Sequence, residues 1–169
     1  MNLNEAPRWR AMTGSDLAAV TALATRIHTN FPERPEVLSE KFRLFPAGCF
    51  TLADAIAIHG YCFSHPWADA PPSLDAFLGA LPERSEYYFI HDMTLDFSVQ
   101  RRNLATELMP EIFRAARGAK LPHMTLVAVN GSAPFWSRIG FRRTNDEAMQ
   151  EAARAKYDSG AIHMEQHLA

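Results

Sequence analysis

A mixed α/β sheet, mostly antiparallel and flanked by helices, is the fold this sequence predicts. Three observations predict it. Strand-like and helix-like segments follow one another in the order β-α-α-β-β-(α)-β-α-β-α-β-(α)-β, which combines hairpins with one strand–helix–strand crossover. Residues 124–129 form a short, continuously apolar run, as expected of a buried central strand. The length of 169 residues, 47% hydrophobic and 21% charged, suits one domain over 1–169 with a substantial core.

Residues 9–12 read as a short first strand. Thr13, Gly14, Ser15 and Asp16 offer capping groups before a helix whose apolar positions include Leu17, Val20, Leu23, Ala24 and Ile27. Pro32 and Pro35 break the chain after it, and a second, short helix over 37–44 is stopped by Pro46 and Gly48. Strands over 49–52 and 56–64 flank Ala53, Asp54 and Ala55, hence a hairpin. The prolines of 65–72 mark a loop, and 74–81 reads as one or two helical turns ended by Pro82.

Residues 87–96 form the next strand, aromatic and β-branched at its centre. A helical pattern follows over 104–117, with Pro110 inside it to kink it or free a carbonyl, and Gly118 as its stop. A short helix over 133–139 carries Pro134 in its first turn. Another strand starts at Phe141, 147–155 is helical, and 161–167 alternates as a final strand.

Charge and composition exclude several partners. The formal net charge is −2, from 17 basic and 19 acidic side chains, which does not suit a nucleic-acid polyanion. The N-terminus lacks a signal-peptide core, and no apolar run approaches the roughly 20 residues that cross a bilayer. A cytoplasmic protein without a membrane partner is expected. Cys49 and Cys62 form no CxxC pair, so no metal site is expected. They fall in neighbouring strands, where a cross-strand disulfide is conceivable, but two reduced, partly buried thiols are expected.

Function is most legible in residues 90–109. A strand ends in a short basic, polar turn and a helix follows at once, which points a helix N-terminus and its backbone N–H groups at an anion such as phosphate. The turn reads Gln100, Arg101, Arg102, Asn103, Leu104, Ala105, and Thr106 follows it. Further on, Asn130 and Ala133 precede Phe135, Trp136, Gly140 and Phe141. Together these segments resemble the GNAT superfamily of N-acetyltransferases, whose phosphate-binding turn is Q/R-x-x-G-x-G/A and whose second motif pairs N-x-x-A with a Gly-Phe ending. Gln100 and Ala105 match, whereas Asn103 and Arg101 stand where glycines are usual. Asparagine is the non-glycine residue that best tolerates a left-handed backbone.

The resemblance implies a central sheet with a splayed strand pair holding coenzyme A, and acetyl-CoA as co-substrate. It implies that the backbone of Met93 and Leu95 bonds the pantetheine arm, with Gln100 to Thr106 at the phosphates, Arg101 and Arg102 adding charge. Asn130 would hydrogen-bond the pantetheine and Phe135 would pack on it. The implied reaction is direct attack of a small-molecule or peptide amine on the thioester, with a backbone N–H such as that of Met93 receiving the oxyanion.

His91 occupies a position where several relatives carry a catalytic glutamate. It suits the role of base chemically, and strand alternation places it on the face of Met93 and Leu95, with Asp92 opposite. Asp92 ranks second and His65, at a strand end, third. Acceptor contacts are expected from Phe31, Glu33, His65 and Trp67, with Glu33 attracting a cationic amine. Trp136 stands where many relatives have a tyrosine acid; an indole cannot give up a proton at useful pH. A thiol of pKa roughly 8.5 can leave as its anion, however. Tyr157 is a conceivable substitute acid, with packing the expected role. Relatives are frequently homodimers. Two rival readings stand beside the enzyme: a non-catalytic acyl-CoA-binding module, and an acyltransferase with another acceptor or a longer acyl group.

Overall fold

The computed structural model describes residues 6–100 and 103–169. In chain order these form β1 (Arg8–Ala11), α1 (Leu17–Ile27), α2 (Pro35–Leu44), β2 (Cys49–Ala53), β3 (Ile58–Trp67) and β4 (Tyr87–Leu95). There follow α3 (Leu104–Gly118), β5 (His123–Ala128), α4 (Ala133–Ile139), β6 (Arg142–Arg143), α5 (Glu147–Lys156) and β7 (Ile162–His167). The strands make one seven-stranded sheet in the order β1-β2-β3-β4-β5-β7-β6. Among the described residues only the β4–β5 pair is parallel, and it is the pair joined by the α3 crossover; the other five pairs are antiparallel.

The sheet separates two apolar layers. On one face Tyr61 and Phe63 of β3 pack against Val20, Leu23 and Leu38 of α1 and α2. On the other, Cys62, Tyr88, Ile90, Met124 and Leu126 pack against Leu108, Met109 and Ile112 of α3 and Trp136 of α4. The alternation of these residues along β3 and β4 is what assigns the two faces. Cys49 and Cys62 are buried free thiols on adjacent strands. Burial pushes the Cys49 thiol up to about 12. No helix among the described residues is long and apolar enough to cross a membrane.

Two expectations are corrected. Residues 65–67 are not loop but the end of β3, where Pro66 lies opposite Tyr88 of β4. The β2 partnership of β3 has ended by then, at Cys49 opposite Phe63, so Pro66 sits where no ladder bond is needed on the outer side. Residues 74–81 form no helix. Their backbone N–H groups are taken by side chains: Glu33 accepts from Asp75, and Glu40 accepts from Leu78 and Gly79 at 2.6 and 3.1 Å. Asp75 and Gly79 also adopt positive φ, which a helix excludes. Pro110 is accommodated inside α3 on its exposed side, where the carbonyl of Thr106, itself exposed, loses its i+4 donor.

Candidate active site

β4 and β5 pair only through Tyr88 with Met124, Phe89 with Thr125 and Ile90 with Leu126. Both strands then continue, to Leu95 and Ala128, without each other. The released stretch of β4 borders a cavity of about 500 Å³. Phe31, Glu33, His91 and Asp92 meet at one end of its lining, and Met93 and Leu95 follow along β4. Gln100, Ala105, Asn130 and Phe135 complete the set of expected residues that line it.

The strand carries a bulge at the centre of this site. On β3, Phe63 faces Asp92 while its neighbour Ser64 faces Ile90, which leaves His91 as the extra residue. The alternation expected for 91–95 is therefore corrected. His91 and Asp92 both turn to the α1 and α2 face, where they meet Glu33 and His28. Met93 packs into the core on the α3 side, and Leu95 joins Leu52 and Leu104 there.

At the His91 end, Nε2 lies 2.8 Å from Glu33 Oε1, while Glu33 Oε2 accepts from Lys41 Nζ at 3.3 Å and from the backbone of Asp75. Burial alone would raise the Glu33 carboxyl, but the charges and hydrogen bonds of His91 and Lys41 overturn this and hold it at about 2. Glu33 is thus an internal anchor as well as a lining residue. The His91 side chain is 0% exposed, and its Nδ1 is enclosed without a partner.

At the Asp92 end, the carboxylate accepts from Tyr61 Oη at 2.7 Å and Thr94 Oγ1 at 2.9 Å. His28 Nε2 lies 2.6 Å from Thr94 Oγ1 and 3.2 Å from Asp92 Oδ2. His28 lines the cavity, as do Thr94, Trp136 and Tyr157. Sequence reasoning passes over His28 altogether: one polar residue after an amphipathic helix reads as a solvated end, and its partner lies 66 positions away. Tyr157 donates its hydroxyl to the Pro72 carbonyl at 3.1 Å, and burial pushes its phenol well up. Trp136 is buried edge-on between Phe135 and Phe141.

At the other end of the cavity, Gln100 donates to the Leu95 carbonyl at 3.1 Å. Asn103 has φ 56° and ψ 10° and caps α3, the left-handed geometry a glycine would otherwise supply. Arg101 and Arg102 lie outside the described residues. Leu104 is buried and its carbonyl accepts from Trp9 Nε1 at 2.7 Å; Thr106 is exposed; neither lines the cavity. Asn130 and Gly131 both take positive φ in the turn after β5, the usual service of an Asn-Gly pair.

His65 and Trp67 stand away from the lining. His65 is enclosed among Trp67, Phe89 and His91, with Nδ1 2.9 Å from the Pro66 carbonyl oxygen. Burial, reinforced by the His91 charge, holds its imidazole down at about 3 and hence neutral. Trp67 donates to the Ala70 carbonyl. Elsewhere, His123, Glu165 and His167 bring ligand atoms within 4.8 Å of one another on β5 and β7, away from the cavity.

No family model matches this sequence, and no curated protein matches it. Solved structures do. Ard1 from Thermoplasma volcanium superposes with a TM-score of 0.71 at 13% identity, over 98% of this chain and 99% of that one. The loading GNATL domain of CurA from Lyngbya majuscula gives 0.76 at 12%, over 96% and 98%. Rv2747 from Mycobacterium tuberculosis, in complex with CoA, gives 0.69 at 13%, over 96% and 100%. The fold is that of the GNAT superfamily. Within this GNAT fold, the parted strands and the Asn130 turn border one cavity, and Gln100 and Ala105, on either side of the left-handed Asn103 in sequence, line it too.

Proposed function

We propose that the chain is an acyltransferase that moves an acyl group, acetyl foremost, from coenzyme A to an amine of a small molecule or peptide. The parting of β4 from β5 beyond Ile90 and Leu126 carries this reading. It leaves a strand edge beside a cavity, and an extended, amide-bearing pantetheine arm can add to such an edge by main-chain hydrogen bonds. Met93 and Leu95 lie on that edge, Asn130 and Phe135 across from it. The N-terminus of the 15-residue α3 lies at the far end, with Arg101 and Arg102 just before it in sequence, suited to phosphates. That Rv2747 holds CoA in the same fold supports the cofactor class.

In the reaction, the backbone N–H of Met93 receives the developing oxyanion. The thiol leaves as its anion, for Trp136 donates a hydrogen bond but no proton. A non-catalytic acyl-CoA-binding module is the rival, favoured by Asn103 and Trp136 as departures from the catalytic pattern. Thiol release from acetyl-CoA with a panel of amines separates the two. Turnover with at least one amine is expected; saturable binding without turnover on any amine, peptide or alcohol selects the module.

A further inference from the structure

We propose that His28 is the general base of this site, positioned by Asp92, and that its acceptor is an amine borne on an apolar or aromatic group without a carboxylate. The inference rests on the acyl-transfer reading above and names that reaction's base and acceptor class.

His28 and His91 line the acceptor end and His65 lies behind His91, and their nitrogens differ in access. His65 Nε2 and His91 Nδ1 are enclosed without partners, and the remaining nitrogen of each is engaged, by the Pro66 carbonyl and by Glu33. A proton leaving a molecule in the cavity reaches neither. His28 differs. Its backbone N–H closes α1 on the Ala24 carbonyl, which holds the residue at the cavity wall. Its Nε2 is bonded, whereas its Nδ1 has no protein partner and is not among the enclosed atoms. That nitrogen is accessible, on a residue that lines the cavity.

The network sets the tautomer. Thr94 Oγ1 donates its proton to Asp92 Oδ1, so the same oxygen accepts from His28 Nε2–H. Tyr61 donates to the other carboxylate oxygen, which fixes Asp92 from the β3 side. With Nε2 carrying the hydrogen, the lone pair sits on Nδ1, as in other histidines oriented by a carboxylate. Asp92 and Thr94 of β4, Tyr61 of β3 and Glu33 from the α1–α2 connection face this imidazole; His91 and Tyr157 line the same cavity. Burial opposes charging His28, but the Asp92 hydrogen bond and the charges of Asp92 and Glu33 outweigh it, so its pKa lies above that of a free imidazole. It is a stronger base than an ordinary histidine.

The step balances. An alkylammonium gives one proton to His28 Nδ1 and becomes a neutral amine. Its nitrogen lone pair forms the N–C bond to the thioester carbonyl, whose π pair moves to oxygen. Collapse re-forms the C=O and breaks the C–S bond; the extra proton still on the amide nitrogen passes to the departing thiolate directly or through solvent, and the imidazolium returns its own proton to solvent.

Acceptor class follows from the walls. Ile27, Phe31, Leu74 and Tyr157 give this end apolar and aromatic surface. No lysine or arginine is among the described lining residues, whereas two carboxylates, Glu33 and Asp92, are. An acceptor with its own carboxylate meets these two carboxylates and no lysine or arginine in the lining.

Phenethylamine and phenylalanine differ by that carboxylate and make the paired probe. Thiol release from acetyl-CoA by the full chain is followed between about pH 5.5 and 9.5. Phenethylamine should exceed phenylalanine in kcat/KM by roughly 10-fold or more, and equal or inverted values overturn the acceptor class. The rate should rise with pH through an inflection above that of free histidine. His28→Gln should lower kcat by about 100-fold or more while acetyl-CoA affinity by calorimetry is retained. Asp92→Asn should move the inflection to lower pH. A His28→Gln enzyme with the parental profile overturns the base assignment, yet its turnover would leave the transferase reading standing. If neither variant folds, the His28 ring-proton titration of the parent decides, and a midpoint at or below free histidine overturns the proposal. A parent that turns over no amine removes the transferase reading and this inference together.

Discussion

His91 Nε2 and Glu33 Oε1 lie 2.8 Å apart, and this contact ties the connection between α1 and α2 to the bulge of β4. Lys41, with 1% of its side chain exposed, holds the other Glu33 oxygen from α2. Removing the Glu33 charge leaves the buried Lys41 ammonium without its partner. Glu33→Gln should therefore destabilise the fold by about 3 kcal/mol, read from urea denaturation. The Glu33 carboxyl titrates near 4.5 when unfolded and at about 2 when folded. Its stabilisation is complete above the first value and is lost as pH falls through the second. In a comparison of about pH 6 with about pH 3, the glutamine variant should lose less stability than the parent.

Asn103 holds the turn before α3 in the left-handed region at φ 56°. Asn103→Gly should keep or raise stability and should not weaken acetyl-CoA binding, since it removes a side chain where the cofactor's phosphates are proposed to approach. Asn103→Val should cost about 1–2 kcal/mol, because a β-branched residue resists this backbone. Thermal unfolding and calorimetry check both.

Gly60 of β3 backs directly onto the site strand. A Cβ there would meet Leu95 Cδ2 at 2.7 Å and the Thr94 carbonyl oxygen at 2.9 Å. Leu95 can rotate, but the Thr94 backbone can move only with β4. Gly60→Ala should cost roughly 1–3 kcal/mol and weaken acetyl-CoA binding along with it.

Much of this architecture is legible in the sequence where local chemistry and tertiary packing agree. Residues 133–139 coincide with α4 because Pro134 and Gly140 bracket it, the glycine at φ 111°. The turns before α3 and after β5 are legible for the same reason: Asn103, Asn130 and Gly131 mark them by residue type alone. The bulge at His91 has no such mark, so regular alternation sends His91 to the face of Met93 and Leu95 and separates it from Glu33. Residues 74–81 pattern like a helix, yet Glu33 and Glu40 take their N–H groups, a tertiary effect invisible to periodicity. His65 looks accessible beside Pro66 and Trp67, but β3 runs on through them and encloses it.

His163 is 2% exposed, and both its ring nitrogens are enclosed without partners. Burial holds its pKa down at about 4, against 6.5 unfolded. The unfolded chain therefore binds a proton that the folded one refuses between those values, and stability falls as pH drops through that window. His163→Phe should flatten this part of the stability–pH curve measured by thermal unfolding, without loss near neutrality.

The central claim is that the gap between β4 and β5 holds an acyl-CoA. Isothermal titration of the full chain with acetyl-CoA tests it most directly. Saturable binding at one site per chain, weakened by a bulky Ala105→Trp substitution in the cavity lining, is the predicted result. Absence of saturable heat up to roughly millimolar acetyl-CoA, the weak end of ordinary cofactor affinities, would contradict it.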